Sequence, residues 1–209
     1  MVEVTEVEKK RSRWRIILES GEKYMLSGAL YRERPLRPGD SVDPEEFSHW
    51  VLLRQYRPAL ERAVDMLALR ACSRGEIQQR LIRAGYTADT VEIVIYKLEK
   101  EGLLNDRDFA SQWVSHRSSQ KYGPRRIARE LRMKGISSED AEAAMEEVDE
   151  TENLERAILL AKKGFARAKA GEDVRKTRQR VLSALVRRGY DWETARQACA
   201  AAHLPEEEE

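Results

Sequence analysis

Three stretches of the chain, "SRGEIQQRLIRAGY" from Ser73, "YGPRRIARELRMKGI" from Tyr122 and "TRQRVLSALVRRGY" from Thr177, repeat one pattern. Each sets an aliphatic pair four residues apart: Ile77 and Leu81, Ile127 and Leu131, Val181 and Leu185. Each then ends four residues past the second member, at Gly85, Gly135 and Gly189. Side chains four apart share a helix face, so every pair gives a short helix a buried stripe. A glycine just past the last turn can take the left-handed conformation that stops the helix.

The likeness continues beyond the stop. At 6, 9, 10 and 13 residues past each glycine stand Val91, Val94, Ile95 and Leu98, then Ala141, Ala144, Met145 and Val148, then Ala195, Ala198, Cys199 and Ala202. One helical stripe persists while its side chains shrink. Copies two and three should therefore bury less apolar area there and be less stable than copy one. A longer amphipathic segment precedes each short helix, through Leu60, Val64 and Leu67, through Phe109, Trp113 and Val114, and through Leu154, Ile158, Ala161 and Phe165. Three helices with short loops can enclose one small core, and recurrence of that unit makes a modular array. Helix starts are marked by Ser73 with Glu76 as a capping box, Asn105 or Asp106 before Trp113, Pro124 in a first turn after Gly123, and Asp191 before the last helix.

Residues 2 to 30 read differently. "VEVTEV" alternates, "SRWRIILES" is rich in strand formers, "GE" can turn, and "KYMLSGAL" supplies a third apolar run. This predicts a small antiparallel sheet whose face Trp14 and Tyr24 cover. Prolines and a glycine in "RPLRPGDSVDPEEF" then break the chain before a helix that starts near Pro44, capped by Asp43. The expected fold is mostly α: about nine helices as tandem three-helix-bundle repeats in an elongated array, preceded by a small antiparallel β-sheet. The expected divisions are 1–57 for the sheet and its following helix, 58–104, 105–150 and 151–204 for the repeats, and 205–209 for an acidic tail.

Nothing in the chain recommends chemistry. His49, His116 and His203 have no partners at metal-binding intervals, and Cys72 and Cys199 read as two buried thiols rather than a zinc pair or a staple. The glycines punctuate helices instead of forming a phosphate cradle after a strand, and no serine, histidine and carboxylate set stands out. No catalytic residue, cofactor or metal is expected. The amino terminus lacks a signal-peptide core, and no stretch approaches the roughly 20 apolar residues of a membrane span. A cytoplasmic protein, without membrane contact and monomeric, is expected.

Charged residues make up 36 % of the composition, yet the formal net charge is +1, so any electrostatic argument is local. From residue 117 to 134 the chain carries Arg117, Lys121, Arg125, Arg126, Arg129, Arg132 and Lys134 against Glu130 alone; residues 139 to 155 then hold acids and no base. At 100 degrees per residue, Arg125, Arg129 and Arg132 fall within about 60 degrees of one another and point away from Ile127 and Leu131. Such a row suits a solvated face, and it equally suits bidentate contacts with carboxylates or phosphates. In the third copy Arg178, Arg180, Arg187 and Arg188 are basic, but Arg125 and Arg129 align with Gln179 and Ser183. The fold repeats more faithfully than the charge, so each repeat is expected to meet a different part of a long partner.

"SRGEIQQRLIRAGY", "LEKEGLLNDRDFASQWVSHR" at 98–117 and "YGPRRIARELRMKGI", with "VLSALVRRGYDWETA" at 181–195, resemble the RecX family of bacterial recombination regulators over roughly residues 58 to 203. Asp106, Phe109 and Trp113 lie in a segment with the family pattern LLxDxxFAxxWVxxR. Gly123, Arg126, Ile127, Glu130, Leu131 and Gly135 lie in and just after its GPxRIxxEL element. The resemblance implies tandem three-helix repeats that bind the RecA recombinase, chiefly its filament on single-stranded DNA. It implies seating in the filament's helical groove and inhibition of ATP hydrolysis, strand exchange and co-protease function, within DNA repair and the SOS response. A weak direct DNA contact is compatible with that role. The rival expectation, from charge alone, is a largely sequence-independent nucleic-acid binder.

Overall fold

A computed structural model describes residues 1–168 and 172–202. The acidic run at 205–209 and His203 lie outside the described residues. The chain divides into two compact units, Met1–Asn105 and Asp106–Glu209.

The first unit opens with strands β1 (Val2–Lys10), β2 (Arg13–Leu18) and β3 (Lys23–Ser27), joined by β4 (Ser41–Val42) in the antiparallel order β3-β2-β1-β4. Alternation places Ile16, Leu18, Tyr24 and Leu26 on one buried face, with Ile16 opposite Tyr24 in register. Tyr24 meets the Phe47 ring edge-on, and Trp14 stacks on Tyr31 with centroids 3.9 Å apart, so both rings pack within the fold. The third apolar run is shorter as a strand than its hydrophobicity suggests. Ser27 ends β3 because its hydroxyl accepts the Leu30 N–H and caps a short helix, α1 (Gly28–Glu33). The edge strand β4, two residues long, carries no periodicity for a sequence pattern to reveal.

Asp43 accepts the Glu45 and Glu46 amides and starts α2 (Pro44–Leu69), with Pro44 in its first turn. The sequence places a division at residue 57 or 58, but α2 runs through that point with Pro58 inside it. The proline removes one helical hydrogen bond. It does not end the helix, because Phe47, Val51, Gln55, Ala59, Ala63 and Met66 form one continuous buried stripe. The front of that stripe packs on the sheet, and its rear enters the core of the first repeat with Ile77, Leu81, Val91, Val94, Ile95 and Leu98. These last residues come from α3 (Arg74–Arg83), which opens on the Ser73–Glu76 capping box, and α4 (Ala88–Lys100).

The second unit holds two such bundles: α5 (Asp106–Ser119), α6 (Pro124–Met133) and α7 (Ser138–Glu146), then α8 (Glu150–Phe165), α9 (Val174–Arg187) and α10 (Trp192–Ala201). Asp191 caps α10 through the Thr194 amide, and Gly123 is the residue before α6. Gly85, Gly135 and Gly189 have φ of 89°, 77° and 99°. Behind each, the next amide reaches back five positions, Tyr86 to Leu81, Ile136 to Leu131 and Tyr190 to Leu185, closing the same motif three times. Of the shrinking stripe, Val91, Val94, Ile95 and Leu98 are fully buried in the first copy, whereas Ala141, Met145 and Val148 are only half-buried in the second. In the third, a fully buried Tyr190 fills space beside Ala195, Ala198 and Cys199. Cys72 and Cys199 are both buried.

Candidate interaction face of the second repeat

The start of α6 is fixed by a close approach to the third repeat. The Gly123 amide donates to the Arg188 carbonyl and the Arg125 amide to the Gly189 carbonyl, both at 3.0 Å. A Cβ on Gly123 would lie 2.2 Å from the Tyr190 nitrogen, and one on Gly189 would lie 2.3 Å from the Arg126 Cβ. Only two glycines let these backbones meet. Tyr190 adds a bond from its hydroxyl to the Lys121 carbonyl.

This joint sorts the basic residues into two groups. Arg117 forks onto Glu130 with both bonds at 2.6 Å, and Arg126 adds a third bond to the same carboxylate at 3.0 Å. The side chains of Arg117 and Glu130 are 15 % and 16 % exposed, so the pair is largely withdrawn from water. Burial pushes Glu130 toward protonation, but hydrogen bonds from Arg117 and Arg126, and their charges, outweigh it and hold the carboxyl down at about 2. The guanidinium groups of Arg117, Arg126 and Arg188 also lie 4.0, 4.1 and 5.0 Å from the Tyr122 ring, and Lys134 lies 4.0 Å from the Trp113 ring. Arg188 further donates to the Gln120 and Lys121 carbonyls. Phe109 stacks on Trp113, whose indole N–H is buried without an acceptor among the described residues.

Four of the predicted contact residues, Arg117, Arg126, Lys134 and Arg188, are therefore engaged within the molecule. Arg180 pairs with Glu172 at 2.8 Å. Lys121 is half-exposed and contributes its carbonyl to the joint. Arg125, Arg129 and Arg132 are exposed along α6, and none makes an ion pair among the described residues. Arg178 and Arg187 are likewise exposed on α9. Arg125 and Arg132 border an open groove of about 390 Å³ between α6 and α7, lined also by Ala128, Ile136, Ala141 and Met145. The row thus edges an apolar trough. Of the structural positions, Ile127, Leu131, Val181 and Leu185 are buried, as are Ile77 and Leu81 in the first unit, and Asp106 opens α5.

Sequence reasoning missed Tyr122 as a platform and Glu130 as the hub of the cations. Glu130 carried a usable signal, being the lone acid of the basic run and four residues after Arg126. Among the described residues no group of three His, Cys, Asp or Glu side chains is placed to hold a metal ion, and no helix is long and apolar enough to cross a membrane.

The comparisons with known proteins point the same way in all three bundles. Family models for the first, second and third three-helix domains of RecX match residues 59–98, 105–145 and 150–199. A curated relative, the regulatory protein RecX of Mycobacteroides abscessus, is 34 % identical over 160 residues, which cover 76 % of this chain and 72 % of the relative. The chain belongs to the RecX family. The family is one of regulators rather than enzymes, and membership carries a general regulatory role toward the RecA recombinase. Two RecX crystal structures share the fold. One, described as regulatory protein RecX, gives a TM-score of 0.63 at 22 % identity and covers 94 % of this chain and 98 % of its own. The other, from Lactobacillus salivarius, gives 0.66 at 21 % identity and covers 73 % of this chain and 99 % of its own.

Proposed function

We propose that this RecX protein acts as a cytoplasmic monomer on the RecA filament assembled on single-stranded DNA. In this reading it lies along the filament's helical groove and inhibits ATP hydrolysis, strand exchange and co-protease activity. The observation that carries the reading is the exposed row of Arg125, Arg129 and Arg132 beside the apolar trough of α6 and α7. A row of unpaired guanidinium groups next to apolar surface suits a protein partner that offers carboxylates and aliphatic side chains together. Arg178 and Arg187 extend the same chemistry to the third repeat.

The test measures binding to RecA filaments, to free RecA and to bare single-stranded DNA across a salt series, while filament ATP hydrolysis is followed. Preference for the filament with falling hydrolysis supports the reading. Equal binding to bare DNA, steeply salt-dependent and without effect on hydrolysis, replaces it with direct nucleic-acid binding. Replacing Arg125, Arg129 and Arg132 with alanine should weaken filament binding at unchanged helicity; undiminished inhibition at near-stoichiometric protein would remove that face from the mechanism.

A further inference from the structure

The first unit gathers a second cluster of cations, distinct from the basic run of residues 117–134. Arg13 from the start of β2, Arg62 from α2, and Arg80 and Arg83 from α3 line an open groove of about 520 Å³, and Asp65 is the one acid in its lining. Arg62, Arg80 and Arg83 are exposed, and none makes an ion pair among the described residues. The groove lies at the carboxyl-terminal turns of α2 and α3, whose dipoles place about half a negative charge at each end. Counting those and Asp65 against four guanidinium groups still leaves an excess of about two positive charges. The helix ends explain how the arginines assemble without a ligand. They do not neutralise them.

Two further observations mark the groove as built. Arg13 is berthed by a missing side chain: a Cβ on Gly85 would lie 2.6 Å from its Nη1, which donates a long bond of 3.5 Å to the Arg83 carbonyl. One guanidinium is thus held against the groove wall by the corner of the repeat. Leu69, in the last turn of α2, lines the same groove and is 87 % exposed. An aliphatic side chain left in water beside unpaired cations gains from being covered by a partner that brings apolar surface with its negative charge.

We propose that this groove docks an acidic segment of a partner protein, its carboxylates taken by Arg13, Arg62, Arg80 and Arg83 and an aliphatic side chain resting on Leu69. Nucleic acid fits less well, because the lining contains no aromatic ring on which a base could stack. The site goes beyond the proposed role of the α6 row and does not depend on it.

The test is fluorescence anisotropy of the full chain with a labelled peptide repeating Glu-Glu-Leu and, separately, a labelled oligothymidylate. The variants are Arg62→Glu with Arg80→Glu, Leu69→Ser, and the triple alanine variant at Arg125, Arg129 and Arg132. Peptide affinity should fall about tenfold or more in the charge reversal, as two charge-assisted contacts are lost. It should fall a few-fold in Leu69→Ser and hold in the triple variant. Absence of peptide binding by the unaltered protein, or affinity indifferent to the charge reversal, overturns the proposal. So does a charge reversal that weakens oligothymidylate and not the peptide, which makes the groove a nucleic-acid site. Filament inhibition, read separately on the triple variant, reports on the α6 row alone, so the two ideas fail independently.

Discussion

Gly85 and Gly189 occupy the same place in repeats one and three, both with left-handed φ and both with an arginine pressed against them, yet the two corners are joined in different ways. At Gly85 the contact comes from side-chain atoms, the Arg13 guanidinium and the Met25 Cγ. The same joint uses Gln55, buried in α2, whose side chain donates to the Met25 carbonyl and accepts the Thr87 amide at 2.8 Å. At Gly189 the contact is main chain on main chain, with the Arg126 backbone nitrogen and Cβ where a side chain would go. A repeated corner can therefore seat a sheet through adjustable side chains, or another repeat through a backbone pairing that tolerates no substituent. The first joint is forgiving and the second is not.

Gly189→Ala should be the most damaging of the changes considered. The left-handed conformation costs an alanine about 1–2 kcal/mol, and forcing a Cβ to 2.3 Å from the Arg126 Cβ adds a packing cost of about 1–3 kcal/mol. A loss of about 4 kcal/mol in urea unfolding is expected, read through Trp113 and Trp192. A loss below about 2 kcal/mol would mean that α6 can step back from the corner, and the contrast between the joints would fail.

Glu130→Gln comes next. It leaves the half-buried Arg117 and Arg126 without a carboxylate, at an expected cost of about 2 kcal/mol. Because folding holds the Glu130 carboxyl at about 2, below its ordinary 4.5, its contribution is present above pH 4.5 and is lost as pH falls toward 2. The second unit of the unaltered protein should therefore lose stability across that window, and Glu130→Gln should lose less there. Parallel pH profiles for the two proteins would show that the cluster adds nothing to the backbone joint.

Gly85→Ala sharpens the comparison from the other side. The left-handed φ cost is the same, about 1–2 kcal/mol, but the nearest obstacle is the far end of the flexible Arg13 side chain, with the Met25 Cγ at 3.1 Å. The expected loss is about 1–2 kcal/mol, read through Trp14 and Trp50 in the first unit. A loss matching that of Gly189→Ala would show that side-chain and backbone joints are equally rigid.

The corners themselves were legible in the sequence, because a glycine four residues beyond an aliphatic pair is a local signal that recurs three times. Their partners were not. The Gly123–Gly189 approach and the Arg188–Tyr122 contact join residues far apart in the chain, where no periodicity links them. For the same reason the outward row of Arg125, Arg129 and Arg132 could be read from helix geometry, while the engagement of Arg117, Arg126 and Lys134 by Glu130 and the rings could not. The unbroken course of α2 past Pro58 was hidden by a residue that usually ends helices, and was decided instead by a stripe serving two cores.

The smallest effect is expected from Arg13→Ala, which tests whether the adjustable side of the comparison is a joint at all. Arg13 makes one long bond to the Arg83 carbonyl, at a distance where hydrogen bonding is weak, and it touches Gly85 only through its tip. Removing it should change stability by less than about 0.5 kcal/mol. If the tip is as yielding as its position suggests, the cost of Gly85→Ala should be the same with and without Arg13, because the two changes then share no interaction. A coupling above about 1 kcal/mol would instead make Arg13 a structural wedge, fixed at the corner as firmly as Arg126 is at Gly189. A guanidinium that contributes little to stability yet is held at the wall of an arginine-lined groove is free to act on something outside the fold.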